Sequence, residues 1–91
     1  MTVYELKVDW ATNDDYGCTT TLYSTYSKAK KAMNFEVLQA MEDYGVFNEI
    51  TGELENDSYE LEVYDDHWEL YEDGYYLYNH CLIEITEKEI L

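Results

Sequence analysis

The sequence predicts an α+β domain: an antiparallel sheet of about five strands, in the order β-β-α-β-β-β, with one helix packed on one face. Three observations carry this. Apolar residues alternate with period two towards both ends of the chain, a single central stretch switches to helical spacing, and turn-forming residues stand where the pattern breaks. The 91 residues form one domain, 1–91, and a hydrophobic content of 46% suffices for one core. Eleven tyrosines dominate the aromatic set. Tyrosine suits a half-buried sheet, because its ring packs while its hydroxyl reaches water.

In residues 2–10, Tyr4, Leu6, Val8 and Trp10 face one way and Glu5, Lys7 and Asp9 the other, the mark of a half-buried strand. Turn residues from Thr12 to Gly17 lead to a second strand, Cys18 to Tyr23, which is rich in β-branched residues and pairs most simply with the first. Ser24 or Thr25 then supplies a helix N-cap. Ala29, Ala32, Met33, Val37, Ala40, Met41 and Tyr44 recur at helical spacing, so the helix spans about Tyr26 to Asp43 with Gly45 past its end. Lysines in its first turns and Glu42-Asp43 in its last oppose the macrodipole, so tertiary packing must hold it. Phe35 and Leu38 lie off the main stripe.

Residues 45–57 are irregular, with Val46, Phe47 and Ile50 expected to tuck onto the core. A meander follows. Tyr59, Leu61 and Val63 alternate with Glu60, Glu62 and Tyr64; Asp65-Asp66 turns the chain; Trp68 and Leu70 alternate with His67, Glu69 and Tyr71. Asp73-Gly74 is a hairpin signal. The last strand is expected from Tyr75 to about Thr86, with Leu77, Cys81, Ile83 and Ile85 inward and Asn79 interrupting that face as a bulge or a polar contact. A lone helix covers one side of a sheet only. The other side should carry Glu60, Glu62, Tyr64, His67, Glu69, Tyr71, Tyr76, Tyr78 and His80.

Charge is unevenly spread. Residues 1–31 hold four acids and four lysines and sum to zero; residues 32–91 hold seventeen acids and Lys88 and sum to −16, the net charge of the chain. Eleven of those acids lie between Glu49 and Asp73, where there is no Lys or Arg. Aromatic and β-branched residues threaded through this stretch mark it as folded structure and not a disordered acidic tail.

These features exclude several functions. Five lysines and no arginine are a poor equipment for phosphate contacts, so no direct nucleic-acid binding is expected, and Lys28, Lys30 and Lys31 read as a solvated helix start. No phosphate loop, nucleophile elbow or catalytic triad pattern appears, which predicts a non-enzyme without cofactors. Cys18, Cys81, His67 and His80 lack zinc-ligand spacing, and Asn13-Asp14-Asp15 lacks the rest of a calcium loop, so no metal is expected. Both cysteines read as reduced core residues. No apolar run approaches the roughly 20 residues of a membrane helix and no signal pattern opens the chain, so a cytoplasmic protein without membrane contact is expected.

What remains is an acidic partner surface. Carboxylates at i and i+2 of a strand lie about 6.8 Å apart, close to the spacing of successive phosphates. A net charge of −16 exceeds the magnitude of about 2–8 that solubility asks of a small domain. Such a face is steered onto a Lys/Arg-lined groove, with Tyr64 and Tyr71 as aromatic contacts. The candidate partner-binding residues are Glu60, Glu62, Tyr64, Asp65, Asp66, Glu69, Tyr71, Glu72 and Asp73. The two aspartate turns, Asp65-Asp66 and Asp73-Gly74, serve the chain reversals first.

In composition and expected architecture the chain resembles small acidic, tyrosine-rich anti-defence proteins of phages and mobile elements, the DNA-mimicking anti-CRISPR and anti-restriction type. The resemblance spans the whole chain and involves no residue motif. It implies an inhibitor that occupies the nucleic-acid groove of a host effector. The chain itself is expected to be a monomer or weak homodimer. Two alternatives share the composition: an immunity-type protein neutralising a basic toxin, and a homo-oligomeric structural module paired through a strand edge or through Phe35 and Leu38.

Overall fold

Two ten-residue strands from opposite ends of the chain pair along their whole length. In the computed structural model, which describes residues 1–12, 14–74 and 79–90, β1 (Thr2–Ala11) runs antiparallel to β5 (His80–Glu89) from Thr2↔Glu89 to Ala11↔His80. β2 (Tyr16–Tyr23) flanks β1, while β4 (His67–Glu72) flanks β5 and carries β3 (Tyr59–Tyr64) outside it. The sheet order is β2-β1-β5-β4-β3, every pair antiparallel, and α1 (Tyr26–Tyr44) packs on one face. This is the α+β architecture the alternation predicts. The strand order is new: β1 and β5 join the N-terminal hairpin to the meander.

Alternation decides the faces. Leu6 lies opposite Ile85, Val8 opposite Ile83, and Trp10 opposite Cys81, and these share the helix-side face with Trp68 and Leu70. Leu70 and Ile83 are fully buried. Each contributes about 1.5–3 kcal/mol by leaving water. Ala29, Met33 and Ala40 are the buried contacts of α1; their small or flexible side chains let the helix approach the sheet.

Local chemistry sets the helix ends. The Thr25 hydroxyl accepts from the Lys28 amide at 3.2 Å, an N-cap worth about 1 kcal/mol. At the other end Gly45 adopts φ 63°, a left-handed turn that L side chains resist, and donates its N–H to the Met41 carbonyl. Neither first-turn acids nor last-turn bases assist the dipole. Tertiary contacts hold the C-terminal turn instead: the Tyr44 hydroxyl reaches the carbonyls of Ala11, at 2.8 Å, and His80, the terminal rung of the β1–β5 ladder.

Four expectations are corrected. Cys81 is buried, but Cys18 is exposed, because it sits opposite Asp9 on the helix-free face of an edge strand. Val63 is 60% exposed, since β3 is the far edge and α1 packs over β1, β5 and β2. Ile50 is 94% exposed at the tip of a turn whose amides are held by the Asn48 side chain; Val46 and Phe47 alone make the expected packing. Lys30 is not simply solvated: its ammonium donates to the Asp65 carbonyl and ties α1 to the β3–β4 turn.

Asn79 makes a polar contact, its amide donating to Glu72 at 2.6 Å. The expected strand start at Tyr75, and the placements of Tyr76, Leu77 and Tyr78, fall outside the described residues. The last strand is longer at its other end than expected, pairing to Glu89.

Candidate functional site

The register arranges the helix-free face in rungs that cross the sheet. One rung reads Tyr64–His67–Glu84–Lys7–Thr20 from β3 to β2, the next Glu62–Glu69–Leu82–Asp9–Cys18, and the third Glu60–Tyr71–His80–Ala11–Tyr16. Four carboxylates, Glu60, Glu62, Glu69 and Glu84, therefore gather on β3, β4 and β5. Lys7 borders them on β1, and a 2.9 Å ion pair between Lys88 and Glu5 lies further along the same face. The negative field is thus concentrated at the β3 side of the sheet.

Glu62 and Glu69 are direct cross-strand partners, a like-charge pairing that destabilises a sheet. His67 compensates. Its Nε2 lies 3.2 Å from Glu69 and its Nδ1 3.3 Å from Glu84, and all three side chains are at most about one-third exposed. Which ring nitrogen donates to its carboxylate is set by the imidazole tautomer. Glu62, His67 and Glu69 also bring ligand atoms within 4.8 Å of one another, and these are the groups among the described residues that could hold a metal ion. Exposed acidic groups are common without one. Sequence spacing hid the cluster because it is assembled by register across strands.

Aromatic groups frame the charge. The Tyr71 hydroxyl donates to Glu60 at 2.8 Å, and that bond, with some loss of hydration and the nearby glutamates, pushes the phenol up to about 12. Tyr64 is 66% exposed, and its ring lies 5.8 Å from the His67 ring. Of the nine candidate residues, Glu60, Glu62, Tyr64, Glu69 and Tyr71 share this face.

The other four are placed elsewhere. Asp65 and Asp66 form the two-residue β3–β4 turn, where Asp66 accepts from the Tyr26 hydroxyl and raises that phenol's pKa, and Asp65 accepts from Lys30 through its carbonyl. They are bound to the helix start. Glu72, opposite Tyr59, lies on the helix-side face and is held by Asn79. Asp73 is exposed in the following turn, its amide tied to the Ser58 carbonyl. Glu84 and His67 belong to the face in their stead. The outward phase of Glu84 follows from inward Ile83 and Ile85, but its neighbours depend on strand order.

His80 follows the predicted phase yet is 9% exposed, with Nε2 3.5 Å from Asp9. On the opposite side of the sheet, a groove of about 490 Å³ is lined by Val8, Trp10, Ala40, Tyr44 and Cys81. Burial, with Glu36 and Asp43 adding to it, pushes the Cys81 thiol up to about 12, which makes it a poor nucleophile at neutral pH. No helix among the described residues is long and apolar enough to cross a membrane. Comparison with protein-family models, with curated proteins and with solved structures finds no match.

Proposed function

We propose that this protein is a non-enzymatic inhibitor whose acidic, tyrosine-bearing sheet face mimics nucleic acid and occludes the basic groove of a nucleic-acid-processing effector, as DNA-mimicking anti-defence proteins do. The observation that supports this reading most directly is the grouping of Glu60, Glu62, Glu69 and Glu84 with Tyr64 and Tyr71 on three adjacent strands. A strand holds its carboxylates at fixed spacing, so little conformational entropy is lost when a row of lysines or arginines meets them. Field strength sets the encounter rate, and the exposed Tyr64 ring supplies apolar area that charge alone does not.

Pull-down from a host lysate, followed by salt titration of the captured protein, tests the reading. The expected partner is a basic nucleic-acid-binding protein whose association slows as salt rises. Glu60→Lys/Glu62→Lys/Glu69→Lys should weaken it by at least about tenfold while circular dichroism stays unchanged. Full-strength binding by that variant would exclude this face. Capture of a toxin encoded beside the protein would favour the immunity reading.

A further inference from the structure

We propose that two copies of this chain associate through their β2 edges, forming one continuous ten-stranded antiparallel sheet. β2 is an eight-residue edge strand of sequence YGCTTTLY. It contains no charged residue and no proline, and no positive-φ residue among those described falls within it. Natural edges are normally blunted by lysines, prolines or bulges, because unpaired amides and carbonyls recruit another strand. β2 has none of these devices.

The occupant follows from charge. Acidic surfaces on a −16 protein repel a second copy, whereas β2 itself carries no charged side chain and the hairpin it belongs to, residues 1–23, sets only Glu5, Asp9, Asp14 and Asp15 against Lys7. Of the two sheet edges, β2 is therefore the one at which two copies approach at the lower electrostatic cost. The opposite edge, β3, carries Glu60 and Glu62 and excludes itself from self-pairing.

Sheet geometry restricts the register. Directly opposed residues in a continuous antiparallel sheet share a face, so a symmetric pairing centres on one residue, not between two. Centring on Thr19 aligns Tyr16–Leu22 with its copy. It places Tyr16, 82% exposed, opposite Leu22 of the second copy, 57% exposed, and sets Thr19 against itself. Two exposed apolar side chains thus cover each other across the twofold axis, at each end of the contact. Centring on Thr20 would leave Tyr16 unpaired. The axis stands normal to the sheet, so both α1 helices lie on one side and both acidic faces on the other.

Molar mass by light scattering tests the pairing. The wild type should move from 10.8 kDa towards twice that value as concentration rises, and more readily in about 1 M salt, where the Debye length is about 3 Å. Thr19→Lys/Thr20→Lys changes the net charge from −16 to −14, two added positive charges, which on overall repulsion alone would favour association. Edge pairing predicts the reverse, at least about tenfold weaker dimerisation. For the register, Thr19→Cys in a Cys18→Ser background should give an interchain disulfide under mild oxidation. A 10.8 kDa species at every concentration and salt would overturn the proposal. So would a lysine variant that dimerises like the wild type, which would move the contact to a surface such as Phe35 and Leu38.

Discussion

The two edges of the sheet are built to opposite specifications. β3 is six residues long and sets Glu60 and Glu62 between half-buried Tyr59 and Leu61 and exposed Val63; β2 is eight residues long and carries no charge. Strand order turns a difference along the chain into a difference across the molecule. Because the order is β2-β1-β5-β4-β3, the sparsely charged N-terminal hairpin forms one flank and the acidic meander the other. A negative edge repels its own kind and attracts basic partners, whereas a neutral edge lacks both effects.

The largest expected effect comes from breaking the seam between the flanks. Ile83 is fully buried on β5, opposite Val8 on one side and Trp68 on the other. Ile83→Ala should cost about 2–5 kcal/mol in urea unfolding, with both flanks lost in one transition. If Trp68 fluorescence, read in a Trp10→Phe background, and far-ultraviolet dichroism gave separate midpoints, the flanks would be independent units. Next comes a paired test of the edges. A Cβ at Gly17 would lie 2.8 Å from the Trp10 ring, so Gly17→Ala should cost about 1–3 kcal/mol through overpacking. Val63→Ala, at a 60% exposed position on the other edge, should stay within about 0.5 kcal/mol. Equal losses would contradict the packing described for the two edges.

Thiol reactivity sharpens the contrast further. Exposed Cys18 should react with an aromatic disulfide reagent in the native state, and buried Cys81 only on unfolding, giving one fast thiol per chain. The smallest effect belongs to the acidic flank at high pH. The folded-state pKa of Tyr71 lies above the unfolded value, about 12 against 10.0, so the stability contributed by its protonated hydroxyl is complete below pH 10 and is lost as pH rises towards 12. Tyr71→Phe should flatten the stability profile over that window only. An unchanged profile would mean that the bond to Glu60 does not persist in solution.

The architecture was largely legible because period-two alternation in β1, β3 and β4 is a local signal, as are Thr25 and Gly45 at the ends of α1. Long-range facts were not. Nothing near Val63 says that its strand is an edge, and nothing near Cys18 says which face of its strand the helix covers. The acidic face was half legible for the same reason. Glu60, Glu62 and Glu69 follow from alternation within one hairpin, whereas Glu84 joins them only through the β4–β5 register. The aspartates of the β3–β4 turn misled because a carboxylate at a turn carries the same formal charge whether it faces a partner or, like Asp66, a tyrosine of its own chain.

The β1–β5 ladder also bears on the order of assembly. The β1–β2 and β3–β4 hairpins each close locally, but Thr2 and Glu89 are 87 positions apart. Joining strands so distant carries a loop-closure cost that local hairpins avoid, which makes this ladder a late event and slows folding relative to a helical domain of equal size. Until it forms, β1 and β5 each present a second open edge and the seam around Ile83 is wet. Conditions that slow the meeting of the chain ends would therefore favour aggregation through the uncharged β2 edge, while the acidic hairpin stays soluble by repulsion.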